Sequence, residues 1–524
     1  MFPEKRLNSA LSIVLAFSLG NLGSLFLATG LLGLAVHSQA QSNSSVRQKP
    51  NNMAQGPFEP NWDSLKKNYK VPQWFTDGKF GIFIHWGLYS IPAHHNEWYS
   101  KHMYSTPEIA KWHVEHYGPQ DKFGYKDFIP LFKAEKYDPA AWAELFKQAG
   151  ARYVVPVAEH HDGFAMYDSD LTRWCAGKMG PKRDLIGDLA QAVRKRGLVF
   201  GLSSHRMEHH TFMYPQLKIK TDLFDPAYAG FYGPPVPGHM DDGNASQEFQ
   251  ADWLARCQEL VDKYQPQLVY FDNGVNDRNY DPVKLKFAAY YYNRAKQWNK
   301  EVSIVTKSNA YLAGGIRDFE KDVRGPKNLL SNAQVFQIDD VISNRSWGYE
   351  STMTYRSPSS IINELVDTVS KNGNLMLNIS PMGDGSIPEG QQSVLRQIGK
   401  WMDVNGDAIY GTRAWTKFGE GPSYDAQLAG ATPHDVARKP ATPADFRFTA
   451  KGNTLYAIAL ARPGAEVVIK SLAASNGKVK SVTLLGHSGA LKFTQDETGL
   501  HVMLAAIRPG DYACVFKITG LKLK

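Results

Sequence analysis

From Trp74 onward the chain alternates short apolar runs with longer segments whose apolar residues recur at helical spacing. The short runs are Phe80-Gly-Ile-Phe-Ile-His-Trp-Gly87, Tyr153 to Ala158, Leu198 to Ser203, Leu268 to Phe271 and Val302 to Thr306. Leu268 to Phe271 shows the type: four apolar residues in a row, without the alternation of a half-exposed strand. Strands buried on both faces, as in a parallel sheet covered by helices, read this way. Between the runs, residues 139–149 place Trp142, Leu145 and Phe146 on one helical face and stop at Gly150. Residues 184–196 begin acidic, end basic and meet Gly197, as the helix dipole and C-cap favour. Further helices are predicted at 246–264, about 282–298 and 359–370. A sixth strand at Gln334 to Ile338, a seventh near Trp347 to Thr352 and a final one at Asn374 to Ile379 complete a (β/α)8-like (TIM-type) barrel.

The pattern changes after Thr412. Residues 57–415 are predicted as the barrel, and 416–444, rich in Pro and Ala, as a linker or the start of a C-terminal domain. Residues 445–524 are predicted as an all-β sandwich with strands at 455–460, 466–469, 479–485, 499–504 and 512–518, each bounded by Gly, Asn or Pro. At the other end, Lys5 and Arg6 precede an apolar stretch from Ala10 to Val36, and Ser38-Gln-Ala40 has the small-x-small pattern of a signal-peptidase site. Residues 1–40 are therefore expected to be a signal peptide, or an uncleaved anchor, and 41–56 a flexible leader. The body of the protein is expected to be exported, to the periplasm or medium, or to a lysosome-like compartment in a eukaryote.

Composition narrows the picture only a little. A formal charge of +8 comes from scattered Lys and Arg with no basic block longer than Arg194-Lys-Arg196, which points away from nucleic acid. Cys175, Cys257 and Cys514 are too few and too far apart for a disulfide scaffold or a Cys-based zinc site, and leave open whether one pair bridges. The 12 Trp, 25 Tyr and 26 Phe fill a core, but aromatic faces also suit the C–H faces of a sugar.

The polar exceptions collect where the predicted strands end. His85 and Trp86 close the first; His160, His161 and Asp162 follow the second. His205, Arg206 and Glu208 follow the third, Asp272 the fourth and Lys307 the fifth. A single strand-end carboxylate such as Asp272 either caps a loop or does chemistry. Five strands ending this way would place the groups on one rim of a barrel, the face that carries active sites. Metal hydrolysis is disfavoured, because adjacent His160 and His161 on a strand would point to opposite sides and no His-Glu-x-x-His occurs. A serine esterase is disfavoured by the absence of a Gly-x-Ser-x-Gly elbow. Glycoside hydrolysis needs two carboxylates across the scissile bond, and Asp272 fits one of them.

Several motifs then agree in order. Lys79-Phe-Gly-Ile-Phe-Ile-His-Trp-Gly87, Glu97-Trp-Tyr99, Gly150-Ala-Arg-Tyr153, His160-His-Asp-Gly-Phe164 and Pro181-Lys-Arg-Asp184 resemble the α-L-fucosidases of glycoside hydrolase family 29. So do Trp347-Gly-Tyr349, Val369-Ser-Lys-Asn-Gly-Asn-Leu375, Leu377-Asn-Ile-Ser-Pro381 and Ala408-Ile-Tyr-Gly-Thr412. The resemblance covers about 62–413 and implies a retaining exo-α-L-fucosidase. It implies Asp272 as nucleophile and His85, Glu97, Trp98, His160 and His161 as hydroxyl binders. Arg317-Asp-Phe-Glu320 resembles the family's acid/base loop and implies Glu320, with Glu350 and Asp318 in reserve; the alternative is that Glu320 only pairs with Arg317 or Arg324. Trp347 or Phe319 would give an apolar wall against the C6 methyl of fucose.

The sequence also departs from the family. Many members end the third strand with a tyrosine pair, where this chain has Gly201-Leu-Ser-Ser-His-Arg-Met-Glu208; His205 either replaces that polar contact or caps the loop. Lys307 stands near where some members place an arginine facing the sugar. Tyr167, Trp174, Asp339 and Asp340 read as structural. The substrate implied is a fucosylated glycan or glycoconjugate, with no cofactor, no metal and no nucleic acid; membrane contact would come only through an uncleaved N-terminus, and the oligomeric state is open. The rival readings are a fucose-binding protein that has lost catalysis and a related exo-glycosidase acting on α-L-galactosides.

Overall fold

Eight parallel strands close on themselves in the computed structural model, which describes residues 54–523 apart from 234, 240–241, 312, 323–333 and 505–509. The expected signal segment and nearly all of the expected leader lie outside the described residues. The barrel strands are β1 (Phe80–Ile84), β2 (Tyr153–Glu159), β3 (Val199–Ser204), β4 (Leu268–Phe271), β5 (Ser303–Lys307), β6 (Ile316–Asp318), β7 (Phe336–Val341) and β8 (Gly373–Ile379). They pair in sequence order, and β8 returns to β1 with Leu375 beside Phe80. Every residue of β1, β2, β4, β7 and β8 is buried, which is why their sequences show no alternation.

The helices start where the sequence offers a cap. Asp138 accepts from the amides of Ala140 and Ala141 ahead of Pro139–Gln148, Asp184 from Gly187 ahead of Leu185–Lys195, and Ser246 from Phe249 ahead of Gln247–Tyr264. Gly150 and Gly197, both at positive φ, end the first two. Asp281–Gln297 and Pro358–Ser370 complete the helices that pack on the later strands.

Two parts of the strand assignment differ from expectation. The sixth strand is the three-residue β6, too short to leave a periodic signal, and Gln334 to Ile338 overlaps the seventh strand instead. Residues 347–352 form no strand; Trp347 among them serves the wall of a pocket rather than a ladder.

Inside the barrel, a separate apolar cluster joins Phe83, Tyr153, Val155, Leu268, Tyr270, Val305, Ile316, Val341 and Met376. Gly81 makes room for it: a Cβ there would sit 2.3 Å from the Tyr153 ring, so only glycine lets that tyrosine cross the interior. The Tyr153 hydroxyl donates to Gln337 Oε1 (3.0 Å), and Gln337 Nε2 to Asp318 Oδ2 (2.8 Å).

The stretch 416–444, expected as a linker or domain start, is largely structured. The strand β9 (Arg413–Glu420) already belongs to the C-terminal sheet, followed by the helices Pro422–Leu428 and Pro433–Ala437. With β10 (Phe446–Lys451), β11 (Thr454–Ala459), β12 (Glu466–Ile469), β13 (Ser481–Leu484), β14 (Phe493–Asp496), β15 (Gly499–Met503) and β16 (Cys514–Thr519) it makes two antiparallel sheets, ordered β13-β16-β11-β10-β9 and β12-β15-β14, over one apolar core. Arg447 of β10 is fully buried and its Nε donates to Asp367 of the barrel helix Pro358–Ser370, while Lys371 Nζ takes the other carboxylate oxygen at 2.6 Å. The three cysteines are free and buried. Among the described residues no helix is long and apolar enough to cross a membrane.

Candidate active site

The carboxyl ends of the strands deliver the polar groups to one pocket. His85 follows β1, His160 and His161 follow Glu159 of β2, His205 follows Ser204 of β3, Asp272 follows Phe271 of β4 and Lys307 ends β5. Glu320 stands on a short turn just past β6, beside Lys321, whose φ of 49° marks a strained corner at the rim. Parity along the strands does the aiming. Leu268 and Tyr270 face the barrel interior, so Asp272, the next residue of that set, opens into the pocket above them. Gly274 at φ 83° then turns the chain where a Cβ would lie 2.6 Å from Glu208.

Asp272 is 8% exposed and held from three sides. Lys307 Nζ is 2.5 Å from its Oδ1, while His205 Nδ1 (3.1 Å) and His161 Nε2 (3.4 Å) face its Oδ2. Burial pushes the carboxyl up, but Lys307, His205 and His161 outweigh it and hold Asp272 well below the usual carboxylate range. The two histidines differ. Burial dominates at His205 and lowers it to about 4, which leaves a neutral ring 3.1 Å from Asp272. Burial also lowers His161, but Glu208 and Asp272 reverse the balance and raise it. The geometry agrees: His161 Nδ1 lies 3.1 Å from Glu208 Oε2 and 3.0 Å from the His205 carbonyl, so both ring nitrogens face acceptors and the imidazolium is favoured.

Lys307 reaches a second carboxylate, Glu320 Oε2, at 3.1 Å. Burial alone would lower the lysine, yet Asp272 and Glu320 keep it charged and well above its ordinary range. The two distances bound the separation of Asp272 Oδ1 and Glu320 Oε2 at 5.6 Å. Glu320 thus pairs with Lys307; Arg317 lies instead over the Phe319 ring, and Arg324 is outside the described residues.

Opposite Asp272 a loop is pinned to form a wall. Glu97 is buried, and its Oε2 accepts from the amides of Trp347 and Gly348, each at 3.1 Å, and from the Ser346 hydroxyl at 3.3 Å. Burial raises its carboxyl in spite of those donors. Asn378 of β8 donates from Nδ2 to the Trp347 carbonyl (2.8 Å), and its Oδ1 accepts from His85 Nδ1 (2.7 Å). An amide oxygen can only accept, so His85 carries its proton on Nδ1 and turns a bare Nε2 away from that bond. Trp347, 9% exposed, packs against Phe83 and His85. Trp98 closes another side, edge-on to His161.

All ten residues nominated from the sequence line this pocket: His85, Glu97, Trp98, His160, His161, His205, Asp272, Lys307, Glu320 and Trp347. His160 and His161 face it together because they lie in the turn past β2, where strand alternation no longer applies. Neither Asp318 nor Glu350 lines it, and Phe319 packs on Phe336 instead. Sequence reasoning missed Phe83, Tyr270 and Asn273 and set aside Asp339, all of which line the pocket. Tyr270, two residues before Asp272, was recoverable from strand parity. Its hydroxyl donates to Asp339 Oδ2 at 2.9 Å; burial lifts Asp339 to about 6, and Asp318 beside it lies well above the usual range.

A closed parallel barrel with two facing carboxylates among buried histidines and aromatic walls on its carboxyl rim defines a glycoside hydrolase. The sequence profile of the alpha-L-fucosidases matches residues 45–407, and that of the alpha-L-fucosidase C-terminal domain matches residues 439–519. The chain belongs to the α-L-fucosidase family. It is 31% identical to the tissue alpha-L-fucosidase of Bos taurus over 483 residues, which is 89% of this chain and 92% of that protein. Against the human plasma alpha-L-fucosidase it is 32% identical over 376 residues, 68% of this chain and 73% of the other. Among solved structures, Thermotoga maritima alpha-fucosidase superposes with a TM-score of 0.70 at 30% identity, over 88% of this chain and 100% of that one. Its complex with fucose gives 0.69 at 30%, covering 88% and 99%.

Proposed function

We propose that this chain is a retaining exo-α-L-fucosidase that removes terminal α-L-fucose from glycans by double displacement, with Asp272 as nucleophile and Glu320 as acid/base. The observation that carries the reading is the Asp272–Lys307–Glu320 bridge. Its 5.6 Å upper bound on one pair of carboxylate oxygens is compatible with the ~5–5.5 Å spacing of retaining enzymes. Asp272, kept ionised by Lys307 and the histidines, attacks the anomeric carbon while Glu320 gives its proton to the departing glycosidic oxygen. Glu320 then takes a proton from water, which attacks the same carbon and expels Asp272, restoring the α configuration. Glu320, with its side chain 38% exposed at the rim, stands on the open side where a leaving group departs.

His85, Glu97, Trp98 and His160 are assigned to the sugar hydroxyls. Trp347 and Phe83 form the apolar wall for the C6 methyl; a 6-hydroxyl there would lose its water without finding a partner. Residues 1–40 are assigned to export, which N-terminal sequencing of the mature protein checks.

The test is hydrolysis of an aryl α-L-fucoside followed by NMR, in which α-L-fucose is expected as the first-formed anomer. Asp272→Gly should lose hydrolysis and, with azide, yield the β-fucosyl azide; Glu320→Ala with azide should yield the α-azide. Recovery at Glu350→Ala but not at Glu320→Ala would overturn the acid/base assignment. Fucose binding without turnover would favour a lectin-like protein, and faster turnover of the 6-hydroxyl analogue an α-L-galactosidase.

A further inference from the structure

We propose that the sugar pocket is also a binding site for a divalent transition-metal ion, held by His85, His160 and His205 in competition with the sugar. The competition clause rests on the pocket being the fucose site. The three imidazoles are buried, and one nitrogen from each lies within 4.8 Å of the others. A tetrahedral ion with ~2.0–2.1 Å bonds draws its ligand nitrogens to about 3.4 Å, a closure of at most about 1.4 Å from the 4.8 Å limit.

The nitrogens are prepared for this. The Asn378 carbonyl fixes the proton of His85 on Nδ1 and leaves Nε2 with a free lone pair, the arrangement by which an outer partner orients a ligating imidazole. His160 Nδ1 and His205 Nε2 are buried without a hydrogen-bond partner. Charge favours a cation as well: four carboxylates, Glu97, Asp272, Glu320 and Asp339, line the pocket against two cations, Lys307 and the His161 imidazolium. Asp272, 3.1 Å from His205, is placed to balance the ion.

Adjacent His160 and His161 do not share an ion, since His161 groups instead with His205 and Asp272. His205 joins the two sets. An ion here would occupy the place of ring hydroxyls and act as a reversible inhibitor. Imidazole ligands select Zn²⁺, Cu²⁺ or Ni²⁺ over Mg²⁺ or Ca²⁺.

The experiment is calorimetric titration of Zn²⁺ into the untagged protein, with Co²⁺ absorbance as a second probe. One ion per chain is expected, with tetrahedral Co²⁺ bands. His160→Gln and His205→Gln should each weaken binding at least about tenfold with unchanged circular dichroism, and L-fucose should displace the ion. With an aryl α-L-fucoside, Zn²⁺ inhibition should be competitive and reversed by chelator, and Ca²⁺ should not inhibit. No Zn²⁺ binding, octahedral Co²⁺ bands, or binding that survives both variants would overturn the site. Binding that fucose does not displace would overturn the competition. A protein that binds Zn²⁺ through these histidines yet hydrolyses no fucoside would keep the metal site and remove the fucosidase reading.

Discussion

As the proposed nucleophile, Asp272 faces two opposed demands, since attack requires the ionised form and burial favours the neutral acid. Lys307 resolves the conflict by contact at 2.5 Å rather than by exposure to water. Removing that ammonium as Lys307→Met should therefore raise the Asp272 pKa, and the acid limb of the kcat/KM profile should move up by about 1–3 pH units. An acid limb that stays in place would show that Lys307 does not set the ionisation. The strand-end groups were legible in the sequence because a charge terminating an apolar run has no packing role. Asp339 was not legible, because Phe336–Val341 reads Phe-Gln-Ile-Asp-Asp-Val and a pair of aspartates looks like the end of a strand. Only the interior parity of Gln337, Asp339 and Val341, which pairing with β8 makes visible, turns Asp339 toward the pocket. His205 lay between two readings, and its 3.1 Å approach to Asp272 is a contact with the carboxylate itself.

At the scale of elements, the wall that carries Trp347 is held by neither helix nor strand. A buried carboxylate gathers its amides, and Asn378 of β8 ties down its carbonyl. Glu97→Ala should strand those donors and release the wall. A loss of about 1–3 kcal/mol in urea unfolding is expected, together with a rise in KM for the aryl fucoside larger than any fall in kcat. A fall in kcat with KM unchanged would contradict a positioning role for this loop. The barrel was readable from its apolar runs except at β6 and β7. Three residues leave no periodicity, and the aromatics of 347–352 imitate a strand while Trp347 serves the pocket.

For the whole molecule, the barrel and the C-terminal sheets are joined through charge as well as apolar surface. Arg447 and Lys371 both neutralise Asp367, and the Trp401 indole donates to the Ala513 carbonyl at 2.6 Å. Arg447→Met should cost about 3–5 kcal/mol in urea unfolding; a cost below about 1 kcal/mol would mean the junction does not depend on this pair. Acid should also be felt globally through the buried histidines. His205 at about 4 and His209 at about 3 lie below the ordinary 6.5, so each favours the fold when neutral. That stability is present above pH 6.5 and is lost as the pH falls toward those values, with a slope of up to about 1.4 kcal/mol per pH unit for each group. His209→Asn should therefore flatten the pH dependence of unfolding between 6.5 and 4 relative to the unchanged protein, which denaturant melts at stepped pH would show. Asp339, raised to about 6, works in the opposite sense and loses its contribution as the pH rises through that value.

The join between β6 and β7 carries a single register pair, Asp318 with Gln337, whereas β7 and β8 are matched along all of Phe336–Val341. The barrel is thus fastened unevenly, firmly between β7 and β8 and loosely under the turn that bears Glu320. Mutational drift meets the least resistance at such a seam, so a lineage can vary the proposed acid/base while the proposed sugar-binding half stays fixed. In directed evolution toward new aglycones, accepted changes should accumulate at 308–322 before they appear around His85 or His160.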